Sequence, residues 1–193
     1  MQRQKQIVDS KIEQASIERG IVIVITGNGK GKTTSALGTL ARSLGHGKKC
    51  ALVQFIKGNW DCGESRFFSD HENLDTLTMN TGFTWNTQDF EKDRAAAEKV
   101  WQQALPLLSN PDYDLVVFDE ITYMFKFRYL EIDEVIRAIH NRPKQQNIIL
   151  TGRGASKALL DIADTISEIR QVKHAFDQGI KAQQGIELSL IHI

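Results

Sequence analysis

The feature that most constrains this chain is a short β-branched run that leads through a glycine-rich turn into an amphipathic helix. Residues 20–26 read GIVIVIT, and the turn that follows contains Gly27, Gly29 and Gly31. Residues 32–44 then carry apolar side chains at helical spacing. An apolar run without polar alternation is typical of a strand buried on both faces of a parallel sheet. The stretch therefore predicts a buried strand, a tight loop and a helix that packs on the sheet.

The rest of the chain alternates between predicted strands and predicted helices. The further strands fall at residues 49–58, 74–79, 114–120, 146–152 and 165–172, and the further helices at 87–109, 131–140 and 156–163. An amphipathic helix is predicted at residues 3–19, outside the main fold, and the pattern dissolves from residue 173 onward. Such alternation predicts an α/β fold in which helices cover both faces of a mainly parallel sheet. At this length we expect one domain, residues 1–187.

The composition argues against several classes of function. Lys and Arg together number 24, as do Asp and Glu, so the formal net charge of the 193 residues is zero. A general nucleic-acid-binding protein would carry a marked basic excess. The longest apolar run, residues 21–25, is too short to span a membrane, and the polar start shows no secretory signal. We therefore expect a cytoplasmic protein without nucleic-acid or membrane partners, in which Cys50 and Cys62 are ordinary reduced residues.

The glycine-rich turn has the pattern of a phosphate-binding loop. In such a turn, backbone N–H groups at the start of a helix converge on phosphate oxygens. Lys32 can reach the phosphates and Thr33 can offer its hydroxyl to Mg²⁺, which makes this a Walker A loop. The expected ATP-binding residues are Gly27, Asn28, Gly29, Lys30, Gly31, Lys32, Thr33 and Thr34. The loop departs from the usual pattern at Thr26, which stands where the first glycine is expected.

A dinucleotide-binding loop is the rival interpretation, because the same glycines also spell G-x-G-x-G. That kind of site needs an acidic residue at the end of the second strand to hold a ribose. The second predicted strand offers Gln54 and Lys57 there instead. The sequence therefore favours the Walker A interpretation.

Two acidic residues follow the strand predicted at 114–120, in the run DLVVFDE. A Walker A loop needs a carboxylate at the tip of a neighbouring strand to position the metal, and Asp119 and Glu120 meet that need. These parts are shared by ATPase motors, kinases, and nucleotidyl or adenosyl transferases. Because no guanine-reading NKxD motif is present, ATP is preferred over GTP.

Two aromatic residues stand out in the segment NTGFTWNTQ. Phe83 and Trp85 lie among small polar residues, where neither helical nor strand periodicity requires them. Both rings could pack into the core, or they could form an apolar wall for a flat, bulky ligand.

Taken together, these motifs resemble one family over nearly the whole chain. The chain resembles the bacterial P-loop corrinoid adenosyltransferases, the ATP:cob(I)alamin type. The stretches that carry the resemblance are TGNGKGKTT, GFTW, LVVFDEITYM, IILTGRG and VKHAFDQGIKAQQGIE. The resemblance runs from the N-terminal helix to about Glu187, and it implies a RecA-like P-loop fold. The combination of the loop with GFTW is more specific than either motif alone.

The resemblance implies a definite reaction. Such enzymes transfer the 5′-deoxyadenosyl group of ATP to the cobalt of a reduced corrinoid and release triphosphate. Lys32, Thr33 and Glu120 would then be the catalytic residues, and Thr33, Glu120 and Asp119 would hold Mg²⁺. The family also implies that ATP lies reversed across the loop relative to kinases, which we connect with Thr26.

The resemblance also implies partners. Phe83 and Trp85 would cover the lower face of the corrinoid and exclude an axial ligand, since such a ligand makes cobalt harder to reduce. The electron would come from a reduced flavoprotein, and a homodimer is expected. Arg153, after a strand tip, is a further candidate site residue, whereas His174 is explained equally well as a surface histidine.

Other interpretations lack an explanation for GFTW. One is a RecA-like Mg-ATPase that hydrolyses ATP to ADP, and another is a non-enzymatic carrier of nucleotide or corrinoid. The last six residues, LSLIHI at 188–193, do not continue the family ending. One codon choice for them matches a common transposon-adapter end, so we expect a non-native tail.

Overall fold

Six strands form the centre of the fold. In the computed structural model, which describes residues 2–56, 63–79 and 89–186, every strand pairing is parallel. The strands are β1 (Val22–Thr26), β2 (Cys50–Gln54), β3 (Leu74–Thr78), β4 (Leu115–Asp119), β5 (Asn147–Thr151) and β6 (Thr165–Glu168). Their spatial order is β3-β2-β4-β5-β1-β6. All five residues of β2 and all five of β4 are buried, as the apolar runs predict.

Helices cover the sheet on both faces. They are α1 (Gln2–Gln14), α2 (Lys32–Gly45), α3 (Gly63–Phe68), α4 (Phe90–Ser109), α5 (Thr122–Lys126), α6 (Ile132–His140) and α7 (Lys157–Asp161), with a 3₁₀ turn at Phe176–Gln178. On one face α2 packs through Leu37 and Leu40. On the other, α4 places Trp101 5.9 Å from Phe118 of β4, between ring centroids. The predicted three-layer α/β fold with a RecA-like sheet is thereby confirmed.

Several predicted boundaries were wrong. The helix predicted at 3–19 ends at Gln14, and Arg19 beyond it forms an ion pair with Asp164 beside the sheet. The strand predicted at 165–172 ends at Glu168. Glu168 pairs with Thr26, the last residue of β1, and beyond that point Ile169 bonds to Thr26 and to Gly29 of the glycine-rich loop.

Short elements escaped prediction altogether. Helices α3 and α5 and the 3₁₀ turn span only 6, 5 and 3 residues, too few to show a helical period. Within the described parts of the chain, no helix is long and apolar enough to cross a bilayer.

Candidate functional site

The predicted phosphate- and metal-binding residues, all of which the structure describes, lie together at the carboxyl ends of the strands, but the strand order differs from the expectation. We expected the acidic pair on a strand next to β1, and this was wrong, because β5 lies between β1 and β4. The sequence gives the order of strands along the chain and does not state which strands are neighbours. The last residue of β5, Thr151, consequently sits between the loop and the acidic pair.

The loop after β1 needs its glycines for two different reasons. Gly27 has φ +100°, and a Cβ there would lie 2.3 Å from the carbonyl oxygen of Ile169. Gly31, with φ +117°, adopts the left-handed conformation directly before α2. The N–H of Gly29 donates to the same Ile169 oxygen at 2.8 Å. The loop is thus held against the chain that leaves β6, and Asn28 and Lys30 remain exposed.

Helix α2 begins directly at the loop, so its N-terminus faces the same space. The first N–H groups of any helix lack intrahelical acceptors and carry partial positive charge. Gly31 has no side chain that could cap them. Phosphate oxygens are well-matched acceptors for such groups.

Lys32 is buried although it carries a charge. Its side chain is 6% exposed, and its Nζ donates to the carbonyl oxygen of Gly29 at 2.8 Å. Burial lowers the pKa of Lys32, the nearby Arg153 lowers it further, and the carboxylates of Glu120 and Asp119 oppose that shift. The lysine is therefore held inside the loop by one backbone acceptor and by the field of the acidic pair.

Asp119 connects the loop to the sheet. Its Oδ1 accepts hydrogen bonds from the Thr33 hydroxyl at 2.9 Å and from the Thr151 hydroxyl at 2.7 Å. Its Oδ2 lies 3.5 Å from Nε2 of Gln54, the last residue of β2. Because these donors come from α2, β5 and β2, the Asp119 carboxylate fixes the relative positions of the three elements.

Glu120 differs from its neighbour in conformation and in hydrogen bonding. Its φ is +59°, unusual for a residue with a side chain, and its N–H donates to the Thr151 hydroxyl at 2.9 Å. Its Oε2 is buried and accepts no hydrogen bond from any described residue. Burial, and then repulsion by Asp119, raises the pKa of Glu120 to about 7, against the opposing effect of Lys32 and Arg153.

Sequence reasoning missed the threonines that support this edge. Thr151 is fully buried and bonds to both acidic residues, although NIILT marks it only as the last residue of an apolar run. Thr26 accepts a hydrogen bond from the N–H of Ala155 at 3.3 Å. This contact gives Thr26 a role in the fold that does not depend on how a nucleotide lies.

The remaining predicted residues divide by what the structure describes. Phe83 and Trp85 lie outside the described residues, in the segment 80–88. Cys62 and the tail 188–193 also lie outside the described residues. Cys50 is a free, buried core residue, as expected, and burial raises the pKa of its thiol to about 12. His174 is half-buried, and its Nδ1 accepts the N–H of Phe176 at 3.2 Å.

The fold and the loop define an α/β protein with a RecA-like parallel sheet and a glycine-rich loop between its first strand and the next helix. Residues 18–188 match the profile of the family described as ATP:corrinoid adenosyltransferase BtuR/CobO/CobP. The chain belongs to the ATP:corrinoid adenosyltransferase family, which makes it a transferase and confirms the resemblance seen in the sequence motifs.

Curated corrinoid adenosyltransferases are similar in sequence to this chain over nearly its full length. The chain is 53% identical over 186 residues to the corrinoid adenosyltransferase of Escherichia coli strain K12, covering 96% of this chain and 94% of that protein. The same identity and coverage hold for a Salmonella typhimurium protein named corrinoid adenosyltransferase CobA. A corrinoid adenosyltransferase of Pseudomonas aeruginosa is 50% identical over 188 residues, which is 97% of this chain and 93% of that protein.

Proposed function

We propose that this chain transfers the 5′-deoxyadenosyl group of ATP to the cobalt(I) of a reduced corrinoid and releases triphosphate. The product would be adenosylcobalamin, adenosylcobinamide or adenosylcobyrate, made in cobalamin biosynthesis and salvage. Family membership supports the reaction class. The observation that carries the proposal at the level of residues is the hydrogen-bonded connection of Thr33, Asp119 and Thr151, which joins the loop to the acidic strand tip.

In the proposed reaction, the cobalt(I) electron pair attacks C5′ of the ribose. A cobalt–carbon bond forms, the C5′–O bond breaks, and its electrons remain on the departing triphosphate. The nucleophile needs no deprotonation, so no serine, histidine or carboxylate base is required. The protein's task is to orient the two substrates and to stabilise the negative charge that develops on the leaving group.

Lys32 and the first N–H groups of α2 are suited to that stabilisation. Burial places the Lys32 ammonium in a region of low dielectric, where its attraction to phosphate oxygens is stronger than in water. The loop glycines allow the backbone to approach the phosphates closely. Gly27, Asn28, Gly29, Lys30, Gly31, Lys32, Thr33 and Thr34 are the proposed ATP-binding residues.

The donor set at the acidic tip fits Mg²⁺. Oε2 of Glu120, which has no hydrogen-bond partner among the described residues, and the hydroxyl of Thr33 are hard oxygen ligands of the kind this ion prefers. Asp119, whose oxygens already accept bonds from Thr33 and Thr151, would mainly orient Thr33. Mg²⁺ would neutralise charge on the triphosphate when bound. Among the described residues, no three His, Cys, Asp or Glu side chains cluster as a metal site, so phosphate oxygens would complete the coordination.

The corrinoid side of the proposal rests on the resemblance. Phe83 and Trp85 would lie against the lower face of the ring and keep an axial ligand away, which makes reduction of cobalt(II) easier. A reduced flavoprotein would supply the electron. We further propose that residues 1–187 work as a single domain in a cytoplasmic homodimer, and that residues 188–193 are not native.

One assay separates this proposal from the alternatives. The protein is incubated with ATP, Mg²⁺ and chemically reduced cobalamin, and the light-sensitive adenosylcobalamin spectrum and triphosphate are measured. An ATPase would instead give ADP and phosphate without an organometallic product, and a carrier would give neither.

Variants of Thr33 sharpen the assay. Thr33→Val, which removes the hydroxyl that reaches Asp119, should abolish most of the transfer. Thr33→Ser, which keeps a hydroxyl, should retain it. Equal activity of the two variants would contradict the proposed role of Thr33.

A further inference from the structure

We propose that Arg153 is a second side-chain cation that binds the triphosphate of ATP, and that Thr26 and Thr122 hold its loop in place for this task. The inference rests on the proposed function. It adds a phosphate-binding residue that lies outside the glycine-rich loop and directly after a different strand.

The strand order places Arg153 where such a residue is needed. It follows β5, and β5 lies between β1, which leads into the glycine-rich loop, and β4, which ends in the acidic pair. The N–H of Gly152 donates to the carbonyl oxygen of Ile25 at 3.2 Å, so the chain leaves β5 alongside the end of β1. Arg153 therefore emerges between the two halves of the site.

Two threonine hydroxyls hold the backbone at Arg153 and just after it. The Thr122 hydroxyl donates to the carbonyl oxygen of Arg153 at 2.9 Å. Two residues further on, the N–H of Ala155 donates to the Thr26 hydroxyl at 3.3 Å. Gly152 makes the first contact sterically feasible, since a Cβ there would lie 2.0 Å from Oγ1 of Thr122. This construction explains why threonine stands at position 26, where a Walker A loop usually begins with glycine.

The guanidinium group is available for a ligand. Arg153 is exposed, and among the described residues it takes part in no side-chain hydrogen bond and no ion pair. Its charge nevertheless reaches into the site, because it contributes to lowering the pKa of both Lys32 and Glu120. A planar guanidinium fork suits paired phosphate oxygens better than an ammonium group does.

Binding of inorganic tripolyphosphate, measured by calorimetry in the presence of Mg²⁺, tests the inference without the transfer reaction. Arg153→Gln should weaken binding by about 10- to 100-fold, the range for a hydrogen bond to a charged group. Arg153→Lys should recover only part of the loss. Lys157→Gln, which removes one exposed positive charge from the nearby helix α7, is the matched control and should bind like the wild type.

A second pair of variants tests the role of the threonines. Thr122→Val should weaken tripolyphosphate binding, whereas Thr122→Ser should not, because it keeps the donor to the Arg153 carbonyl. The fold of each variant is checked by its thermal unfolding temperature, which should not change for the exposed Arg153.

The two proposals fail in different ways. If Arg153→Gln binds tripolyphosphate as tightly as the wild type while the wild type still forms adenosylcobalamin, the inference about Arg153 is wrong and the proposed function stands. If tripolyphosphate binding depends on Arg153 but no adenosylated corrinoid forms, the proposed function is wrong and the phosphate contact stands.

Discussion

Replacing Gly152 with alanine should destabilise the protein more than the same change at the neighbouring Gly154. Gly152 has φ +140°, where residues with side chains are strained, at a cost of about 1–3 kcal/mol. The new Cβ would also displace the Thr122 hydroxyl and break its bond to Arg153, which adds about 1 kcal/mol. We expect Gly152→Ala to lower the free energy of unfolding by about 2–4 kcal/mol.

Gly154 provides the matched control. It also has a positive φ, +66°, but a Cβ there would meet no atom of a described residue within 4 Å. Gly154→Ala should therefore show only the cost of the left-handed conformation, about 1 kcal/mol. Urea denaturation of the metal-free protein measures both changes as shifts of the unfolding midpoint.

A double-mutant cycle isolates the clash itself. Thr122→Ala removes the atom that the new Cβ would meet, so the cost of Gly152→Ala should be smaller in that background by about 1–2 kcal/mol. If the two substitutions are instead additive, or if Gly152→Ala costs no more than Gly154→Ala, the described contact between Gly152 and Thr122 is not what constrains this position.

Three further predictions concern charge and the corrinoid. The hydrogen-bonded ion pair with Arg19, and then the N–H of Val22, lower the pKa of Asp164 to about 2. The Asp164 carboxylate therefore stabilises the fold fully at pH values above its ordinary pKa, and this stabilisation is lost as the pH falls through about 2. Asp164→Asn should therefore cost about 1 kcal/mol at pH 7, after allowance for solvent exposure, and almost nothing at pH 2, as measured by urea denaturation. The pKa of Glu120 is raised from 4.5 to about 7, so the folded protein binds more protons than the unfolded chain between these values, and metal-free stability falls as the pH rises through them. Glu120→Gln should remove that pH dependence and raise the free energy of unfolding by about 2–3 kcal/mol at pH 8. If the variant and the wild type show the same dependence of stability on pH, the pKa of Glu120 is not raised in the folded protein. Trp85→Ala should impair adenosylation of a cobalt(II) substrate under a weak reductant more than it impairs ATP binding, and equal losses would remove the support for its role.

Local signals made the overall architecture predictable. Strand and helix periods identified each strand of the sheet, and the glycines with Lys32 and Thr33 identified the loop without any structure. The acidic pair was recognisable because DE ends an apolar run. These features depend on residues that are close in sequence, and so a single sequence is enough to reveal them.

The contacts that organise the site join distant parts of the chain. Thr151 is 32 residues from Asp119, and Thr26 is 129 residues from Ala155. No local pattern distinguishes a threonine that bridges strands from one that simply ends a strand. The left-handed conformation of Glu120 was equally invisible, because that conformation normally marks glycine or asparagine and not glutamate.

The hydrogen bond from Lys32 to the carbonyl oxygen of Gly29 has a consequence for turnover. If Lys32 had no other acceptor in the loop, release of a polyanionic product would leave its buried ammonium group without a hydrogen bond. That cost would slow product release. In the proposed reaction, the carbonyl oxygen of Gly29, to which Nζ of Lys32 donates at 2.8 Å, would replace the departing triphosphate as the partner of the lysine. We therefore expect the loop to bind ATP somewhat less tightly and to release triphosphate faster than it would without this hydrogen bond.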